Sequence, residues 1–506
     1  MDNVIPDSWI HATLDDIVIE NNNAIKRGPF GSSIRKEFFV PKGYKVYEQK
    51  NVIYNDFNLG NYYINEKKFQ ELEDFELKSG DIIISCSGTI GKIAIAPENL
   101  LKGIINQALL KISLNDSIIN KKYFLYLFNS DAFKKKITTR GSAMLNLTSV
   151  KDLKKILIPI PPFDEQTRIV SKLEELFTKL DAGIEYLKKT RILLKQYRQS
   201  VLKHAFEGKL TEKWRELHKN ELKPVSSLLG KIFDERKGNK KRNKADFTLL
   251  PLLSEFWSWT TIEDLAEDSN NAIKAGPFGS SLKKESYSSK GYKIYGQEQV
   301  IKGNPYYGDY YIDKKHYEIL KSCSVKPNDV LISLVGTIGK SIVLPEDIEP
   351  GIINPRLVKI SFDKRLINPL FFKHYLDSNS VRELFSIVSH GGTMKILNLR
   401  ILKELPIPLP PLIEQMEILK EVDLLFSIMN HLEIILKSSL LQCIKLRESI
   451  LKCAFEGKLV HQDPNDESRE TILEKIKSES TIPIKKEKSK ITKRKSIDIN
   501  KQMRLM

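Results

Sequence analysis

The sequence predicts an α+β protein: two tandem modules of mixed α and β structure, each followed by a long helix, the two helices pairing as a coiled coil. Three observations predict it. The 506-residue chain repeats itself about 248 residues apart. Ala24-Ile-Lys-Arg-Gly-Pro-Phe-Gly-Ser-Ser33 returns as Ala272-Ile-Lys-Ala-Gly-Pro-Phe-Gly-Ser-Ser281, Gly43-Tyr-Lys-Val-Tyr47 as Gly291-Tyr-Lys-Ile-Tyr295, and Gly88-Thr-Ile-Gly-Lys92 as Gly336-Thr-Ile-Gly-Lys340. So long a period exceeds the roughly 20–50 residues of a solenoid unit and marks a duplicated module large enough to fold alone. Short apolar runs with flanking Gly or Pro have strand length within each copy. Apolar residues recur at heptad spacing after each copy.

The elements follow in order. Residues 1–163 form the first mixed module, opened by Trp9, with strands expected at Asp81-Ile-Ile-Ile-Ser85 and Lys92-Ile-Ala-Ile-Ala96. Leu157-Ile-Pro-Ile-Pro-Pro162 ends it, since these prolines forbid helix and favour an extended exit. The first long helix takes 164–208. Asp164 suits its N-cap, Glu165 complements its dipole, and Gly208 stops it. Leu173, Leu180, Leu187, Leu194 and Val201 recur every seven residues, with Ile169, Leu176 and Tyr197 on the companion position. Such a helix spans roughly 64 Å at about 1.5 Å per residue. A polar connector, 209–250, contains the basic run Lys237-Gly-Asn-Lys-Lys-Arg-Asn-Lys244. The second module, 251–412, opens at Trp257. The second helix, 413–458, shows the cleaner stripe: Ile418, Val422, Leu425, Met429, Leu432, Leu436, Cys443, Leu446 and Ile450. The natural partner of one such helix is the other. Residues 459–506 are charged, poor in aromatics and expected to be disordered.

The net charge of +17 suggests an acidic partner such as nucleic acid. Its distribution weakens that inference: residues 231–244 carry a net +5 and residues 485–506 a net +7, both outside the repeats. No apolar run approaches the ~20 residues of a membrane span, so no membrane is expected. The N-terminus lacks the basic and apolar regions of a signal peptide. Cys86, Cys323, Cys443 and Cys453 form no CxxC pair and read as reduced thiols in a cytoplasm.

No catalytic motif is complete. Gly336-Thr-Ile-Gly-Lys-Ser341 ends like a phosphate-binding loop, but Leu334 stands where that loop needs glycine, and a strand-like segment follows. Asn304-Pro-Tyr-Tyr307 resembles the loop with which amino-methyltransferases hold a flipped adenine, yet it lacks the second proline, and no glycine-rich cofactor loop accompanies it. The histidines and cysteines show no metal spacing, so no metal or cofactor is expected in this chain. Binding candidates remain. In the Gly-Pro-Phe-Gly-Ser-Ser turns, Phe30 or Phe278 is expected to plug a core. Ser32, Ser33, Ser280 and Ser281 offer hydroxyls among Lys26, Arg35 and Lys36 in one copy and Lys274, Lys283 and Lys284 in the other. Hydroxyls, amides and cations together suit phosphate oxygens, although a turn kept for folding explains the same residues. Gln49 and Gln297 follow a strand in each copy, where an amide can pair with adenine N6 and N7.

The order of these motifs resembles the specificity subunit of Type I restriction–modification enzymes over about residues 4–460. It is carried by the Gly-Pro-Phe-Gly-Ser-Ser turn, Gly-Thr-Ile-Gly-Lys, Gly103-Ile-Ile-Asn106, Pro-Pro-x-x-Glu-Gln at 161–166 and 410–415, and Ala-Phe-Glu-Gly-Lys-Leu at 205–210 and 454–459, all duplicated. The resemblance implies two target recognition domains, each gripping one half of a bipartite double-stranded DNA site, with Lys92, Lys340 and Arg140 joining the candidate DNA contacts. It implies an antiparallel helix pair that spaces them and docks two methyltransferase subunits. Those partners would bind S-adenosylmethionine and methylate adenine N6 after flipping the base, and restriction subunits would add ATP- and Mg-dependent translocation and cleavage. This chain would choose the sequence and catalyse nothing. The copies match at roughly half of positions between 24 and 112 without a gap, so the half-sites are expected to be related in sequence. Differences at Phe38–Pro41 against Ser286–Ser289, Tyr54–Leu59 against Lys302–Tyr307, and around Arg140 against His390 would tell them apart. The rival readings are a subunit serving a fused restriction–methyltransferase and a coiled-coil scaffold that binds protein.

Overall fold

A computed structural model describes residues 5–30, 33–87, 89–140, 145–147, 149–236, 247–277, 281–381 and 399–479. The chain divides into two compact units that do not follow the linear order of the modules. One takes residues 1–185 with 440–506, the other 186–439. Each long helix, Phe163–Phe206 and Leu412–Phe455, therefore contributes to both units.

In the first unit, Ile10–Thr13 pairs antiparallel with Leu157–Ile160 and ties the two ends of the module together. Two four-stranded sheets lie between. One runs Ile25–Arg27, Leu109–Ile112, Ile82–Ser85, Ile93–Ile95, antiparallel throughout. The other runs Phe39–Val40, Tyr63–Ile64, Tyr44–Tyr47, Gly103–Ile105, and its last pair is parallel. The central strands Ile82–Ser85 and Leu109–Ile112 are buried at every position, so their apolar residues do not alternate with exposed ones, and the buried Lys111 donates to Glu76 O. Helix Lys121–Asn129, capped by the Asn120 side chain, lays Tyr123, Phe124, Leu127 and Phe128 on this core at helical spacing.

The second unit repeats the plan of these two sheets. Its sheets run Ile273–Ala275, Leu357–Ile360, Val330–Ser333, Ser341–Val343 and Tyr287–Ser288, Tyr311–Ile312, Tyr292–Tyr295, Gly351–Ile353. Ile25 corresponds to Ile273 and Lys121 to Pro369, 248 residues apart, whereas Leu157 corresponds to Pro406 and Phe163 to Leu412, 249 apart. The second copy thus carries one extra residue between Asp377 and Leu399.

Within each unit the two long helices run antiparallel. In the first, Ile169, Leu173 and Phe177 share a core with Leu451 and Ala454, and Arg447 lies 4.3 Å from the Phe177 ring and pairs with Asp181. In the second, Val201, Leu202 and Phe206 share a core with Ile418, Val422 and Met429. There Arg191 pairs with Glu433, and Arg198 stacks over Phe426. Leu173, Val201, Val422, Met429 and Leu436 are buried, and Leu180, Leu187, Leu194, Leu425 and Ile450 are half-buried. Leu432 and Leu446 depart from the predicted seam at 44% and 51% exposure, as does Tyr197. One partner helix covers only a narrow seam, and these side chains flank it.

Two expectations are corrected here. The stretch read as a polar connector folds as helices Glu212–Leu217 and Val225–Glu235, and Leu222, Val225, Leu229 and Ile232 enter the second unit's core. The stretch read as a disordered tail forms helix Arg469–Glu479, and Ile472 is buried in the first unit. In both, a few apolar residues at helical spacing outweigh a charged composition. The basic run 237–246 and residues 480–506 lie outside the described residues. Helix Leu412–Phe455 includes an 18-residue window apolar enough, by length and composition alone, to cross a membrane. That window gathers seam residues and flanking leucines on a helix whose Glu433 pairs with Arg191.

Candidate functional site

The repeated motifs, far apart in sequence, meet at one edge of each module, where its two sheets join. Strands Gly103–Ile105 and Leu109–Ile112 belong to different sheets, so the turn at Asn106–Ala108 links them. Asn106 N donates to Tyr47 O (3.0 Å), and Asn106 Oδ1 accepts from Ala108 N (3.0 Å). The Gly-Pro-Phe turn lies flat on this link: Gly28 N donates to Leu109 O (2.9 Å), and a Cβ on Gly28 would stand 1.9 Å from Asn106 O, so only glycine fits. The Gly-Thr-Ile-Gly-Lys loop joins through Cys86 N, which donates to Ala108 O (2.8 Å). The Ser85 hydroxyl donates to Thr89 O (2.5 Å) and accepts from Lys92 N (2.9 Å). Gln49, at the start of helix Gln49–Ile53, closes the group by donating to Ser87 O.

The second module builds the same cluster. Gly276 N donates to Leu357 O (2.9 Å), its Cβ would stand 1.8 Å from Asn354 O, and Asn354 N donates to Tyr295 O (2.9 Å). Leu334 N donates to Arg356 O (3.0 Å). Gln297 donates to Ser333 Oγ (2.8 Å) and Val335 O. Beside them an open cavity of about 830 Å³ is lined by Lys284, Tyr287, Gln297, Tyr310, Asn354 and Arg356, among others.

The predicted contact residues fare differently. Arg35, Lys92, Ser281, Lys283 and Lys340 are exposed, and the four cations have no carboxylate partner among the described residues. Lys26 is half-buried and engaged, donating to Asn23 Oδ1 (2.8 Å) and pairing with Asp74 (3.3 Å), whose carboxyl it holds below the usual range. Lys274, its counterpart, has no such carboxylate, because Ser322 stands where Asp74 would be. Ser33 is half-buried, its amide on Phe30 O (3.4 Å). Arg140 ends strand Thr138–Arg140, which pairs with Leu145–Leu147. Ser32, Ser280, Phe278 and His390 lie outside the described residues. Phe30 corrects an expectation: it is 62% exposed rather than a core plug, because the turn makes its contact through the Gly28 backbone and leaves the ring outside.

Two residues escaped the sequence reading. Arg27 is half-buried, 5.1 Å from the Phe30 ring, with its Nε buried and without a hydrogen bond. Arg356 is exposed, with one side-chain hydrogen bond among the described residues, from Nη1 to Gln297 Oε1 (3.3 Å). Each stands opposite an alanine in the other copy, and aligning the copies for charge differences would have found both.

The cysteines near the clusters are inert: burial pushes the Cys86 thiol up to about 11, and Cys323 is buried. No group of three or more His, Cys, Asp or Glu residues could hold a metal among the described residues. What both edges offer is amides, hydroxyls and uncompensated cations on a rigid backbone, an arrangement suited to an anionic, hydrogen-bonding polymer.

A family model for the Type I restriction modification DNA specificity domain matches residues 6–190 and 258–438. The Type I restriction enzyme EcoBI specificity subunit of Escherichia coli is 26% identical over 494 residues, spanning 94% of this chain and 93% of that one. The EcoKI specificity subunit of Escherichia coli K12 is 25% identical over 385 residues, spanning 72% and 73%. Two solved structures share the fold. A chain from a structure on complex assembly and conformational transition of the type I R-M system superposes with a TM-score of 0.59 at 17% identity, over 90% of this chain and 99% of that one. The HsdS subunit from Thermoanaerobacter tengcongensis superposes with a TM-score of 0.50 at 18% identity, over 90% and 98%.

Proposed function

The chain belongs to the Type I restriction modification DNA specificity family, and on that premise we propose that its two modules read the two halves of one bipartite DNA site and direct partner methyltransferase and restriction subunits to it. The observation that carries the reading is the duplicated edge: the same motifs build the same donor-rich cluster in both modules, and its exposed lysines and arginines lack carboxylate partners among the described residues. Cations without internal partners attract phosphate and add salt-dependent affinity, while side chains held on rigid turns read base edges.

Direction follows from the division of labour. This chain supplies recognition. Methyl transfer from S-adenosylmethionine to adenine N6, and ATP-driven restriction, belong to the partner subunits. The paired helices are stiff elements suited to acting as a spacer between the two readers of the site. The near-gapless correspondence of the copies supports half-sites that are related in sequence, and the differences between copies make them unequal.

Mapping N6-methyladenine in cells that carry this chain with its methyltransferase subunits tests the reading. The expected result is one modified motif of two short half-sites separated by unspecified bases, together with duplex binding that falls steeply as salt rises. Absence of any such motif with the partners present overturns the function, and wholly unrelated halves overturn the claim of related half-sites.

A further inference from the structure

We propose that an exchange of arginines distinguishes the two half-sites, and that Arg356 reads a guanine in the half bound by the second module. The inference rests on the DNA-reading function above and adds the side chain and the base. The first module has Arg27 and Ala108, and the corresponding positions of the second have Ala275 and Arg356. All four lie at the same edge. Arg27 and Ala275 end the strands that pair with Leu109–Ile112 and Leu357–Ile360, while Ala108 and Arg356 immediately precede those partner strands. Each module therefore brings one arginine to its cluster, the first from the end of a strand and the second from the turn before the partner strand.

The second module fixes Arg356 on both sides. Its amide donates to Asn354 Oδ1 (3.0 Å), and its carbonyl accepts from Leu334 N (3.0 Å). The strands before and after the turn, Gly351–Ile353 and Leu357–Ile360, are buried at every position. Beyond this rigid base the guanidinium stands at the rim of the open cavity, and its one hydrogen bond among the described residues is to Gln297 Oε1 at 3.3 Å. Gln297 cannot swing away freely, because its amide nitrogen is held by Ser333 Oγ and Val335 O. Most of the five N–H donors of Arg356 thus face outward in a planar fork, with no carboxylate among the described residues to neutralise them. A fork of that kind matches O6 and N7 of guanine in the major groove, the commonest specific arginine contact.

The first module lacks this device. Gln49 is anchored in the same way, on Ser87 O, but Ala108 gives its amide oxygen no guanidinium partner. Its own arginine, Arg27, is half-buried against the Phe30 ring, with its Nε buried and without a hydrogen bond. The base pair equivalent to the one Arg356 reads therefore escapes arginine readout in the first half-site.

The experiment uses the full chain with its methyltransferase subunits and a duplex library randomised across both half-sites, sequenced after selection by binding. The wild-type complex is expected to enrich guanine at a position of one half-site that has no guanine preference in the other half. Arg356→Ala should lower discrimination at that position alone by about tenfold or more. Arg356→Lys, which keeps charge without the fork, should retain salt-dependent affinity while losing most of the guanine preference. Ala108→Arg should create a guanine preference at the matching position of the first half-site. Thermal melting of each variant checks folding, and Arg356→Lys carries the test where alanine disturbs the turn. If Arg356→Ala and Arg356→Lys weaken binding equally on all sequences, Arg356 touches phosphate and the inference is overturned while DNA reading stands. If the wild-type complex enriches no sequence, DNA reading itself fails and the assignment of Arg356 falls with it.

Discussion

Glu165 and Glu414 occupy the same place in the two units, and their surroundings set them apart. Each is fully buried near the start of its long helix and accepts from an indole N–H, Trp9 at 3.0 Å and Trp257 at 2.8 Å. Glu414 also accepts from Thr211 Oγ1 (2.8 Å) and pairs with Arg215 (2.6 Å). Glu165 has no such partner: its Oε1 is buried without a hydrogen bond, and Arg168 is drawn to Asp466 in a two-pronged pair at 2.9 and 2.6 Å. Burial raises the Glu165 carboxyl above the ordinary range, only partly offset by the Trp9 hydrogen bond and Arg168. A carboxyl whose folded value is raised contributes stability that is full below its unfolded value and is lost as pH rises through the folded value. Glu165→Gln removes the charge and keeps an acceptor for Trp9. Melting of the variant from mildly acidic to neutral pH should lack this loss, so the first unit gains stability at neutral pH relative to wild type. Glu414→Gln should do the opposite and cost the second unit about 3–5 kcal/mol, because it strands Arg215 beside a neutral group in a buried pair. Equal effects of the two substitutions in denaturation of the full chain would show that the asymmetry has no energetic consequence.

The Pro-Pro-x-x-Glu-Gln segment shows what one motif does for a whole element. Gln166 donates to Ile118 O and Pro161 O (3.0 Å each) and accepts from Asn120 N (2.8 Å). Gln415 repeats this with Leu366 O (2.8 Å), Pro410 O (2.9 Å) and Asn368 N (2.8 Å). The side chain thus sews the start of the long helix to the loop that caps the module's core helix. Gln415→Leu keeps the volume and abandons three buried backbone groups, and it should cost about 3 kcal/mol or more by urea denaturation. A cost near zero would mean that water replaces the amide. The sequence marked this place as a helix start, since proline and acidic residues leave a local signature. It could not reveal the partners, because Trp9 lies 156 residues from Glu165 and such a contact leaves no periodic trace. The long helices were legible because a seven-residue repeat persists over many turns. The helix Val225–Glu235 was not, because three core residues are few against a lysine-rich background. The candidate site was legible only as separate motifs: Gly-Pro-Phe, the glutamine and Gly-Thr-Ile-Gly-Lys each read as weak signals, and the sheet topology that joins them is non-local. Arg356 has no pattern of its own after Asn-Pro, and only the contrast with Ala108 in the other copy marks it.

At the scale of the whole chain, each unit gathers its own module, the first part of its own long helix, the last part of the other helix, and the segment that follows that last part. In the second unit this following segment is the connector, with Leu210, Leu222, Val225, Leu229 and Ile232 against the core. In the first unit it is the C-terminal stretch, with Leu459, Val460, Ile472 and Ile476 against the core and Asp466 on Arg168. The duplication is therefore cyclic in what each unit gathers although linear in sequence, and the stretch read as a disordered tail is the first unit's counterpart of the connector. Truncation after Gly457 tests this. It removes the buried Ile472 side chain, worth about 1.5–3 kcal/mol on its own, together with the flanking apolar contacts and the Arg168–Asp466 pair. Hydrogen exchange should then speed up in the first unit's core, across Ile10–Thr13 and Lys121–Asn129, while Ser258–Thr261 and Pro369–Asp377 of the second unit keep their protection. Paired Leu229→Ala and Ile232→Ala substitutions should produce the mirror image, loosening the second unit alone. Unchanged exchange in the first unit after truncation would show that the C-terminal segment rests on the core without supporting it, and the cyclic plan would then hold for topology but not for stability.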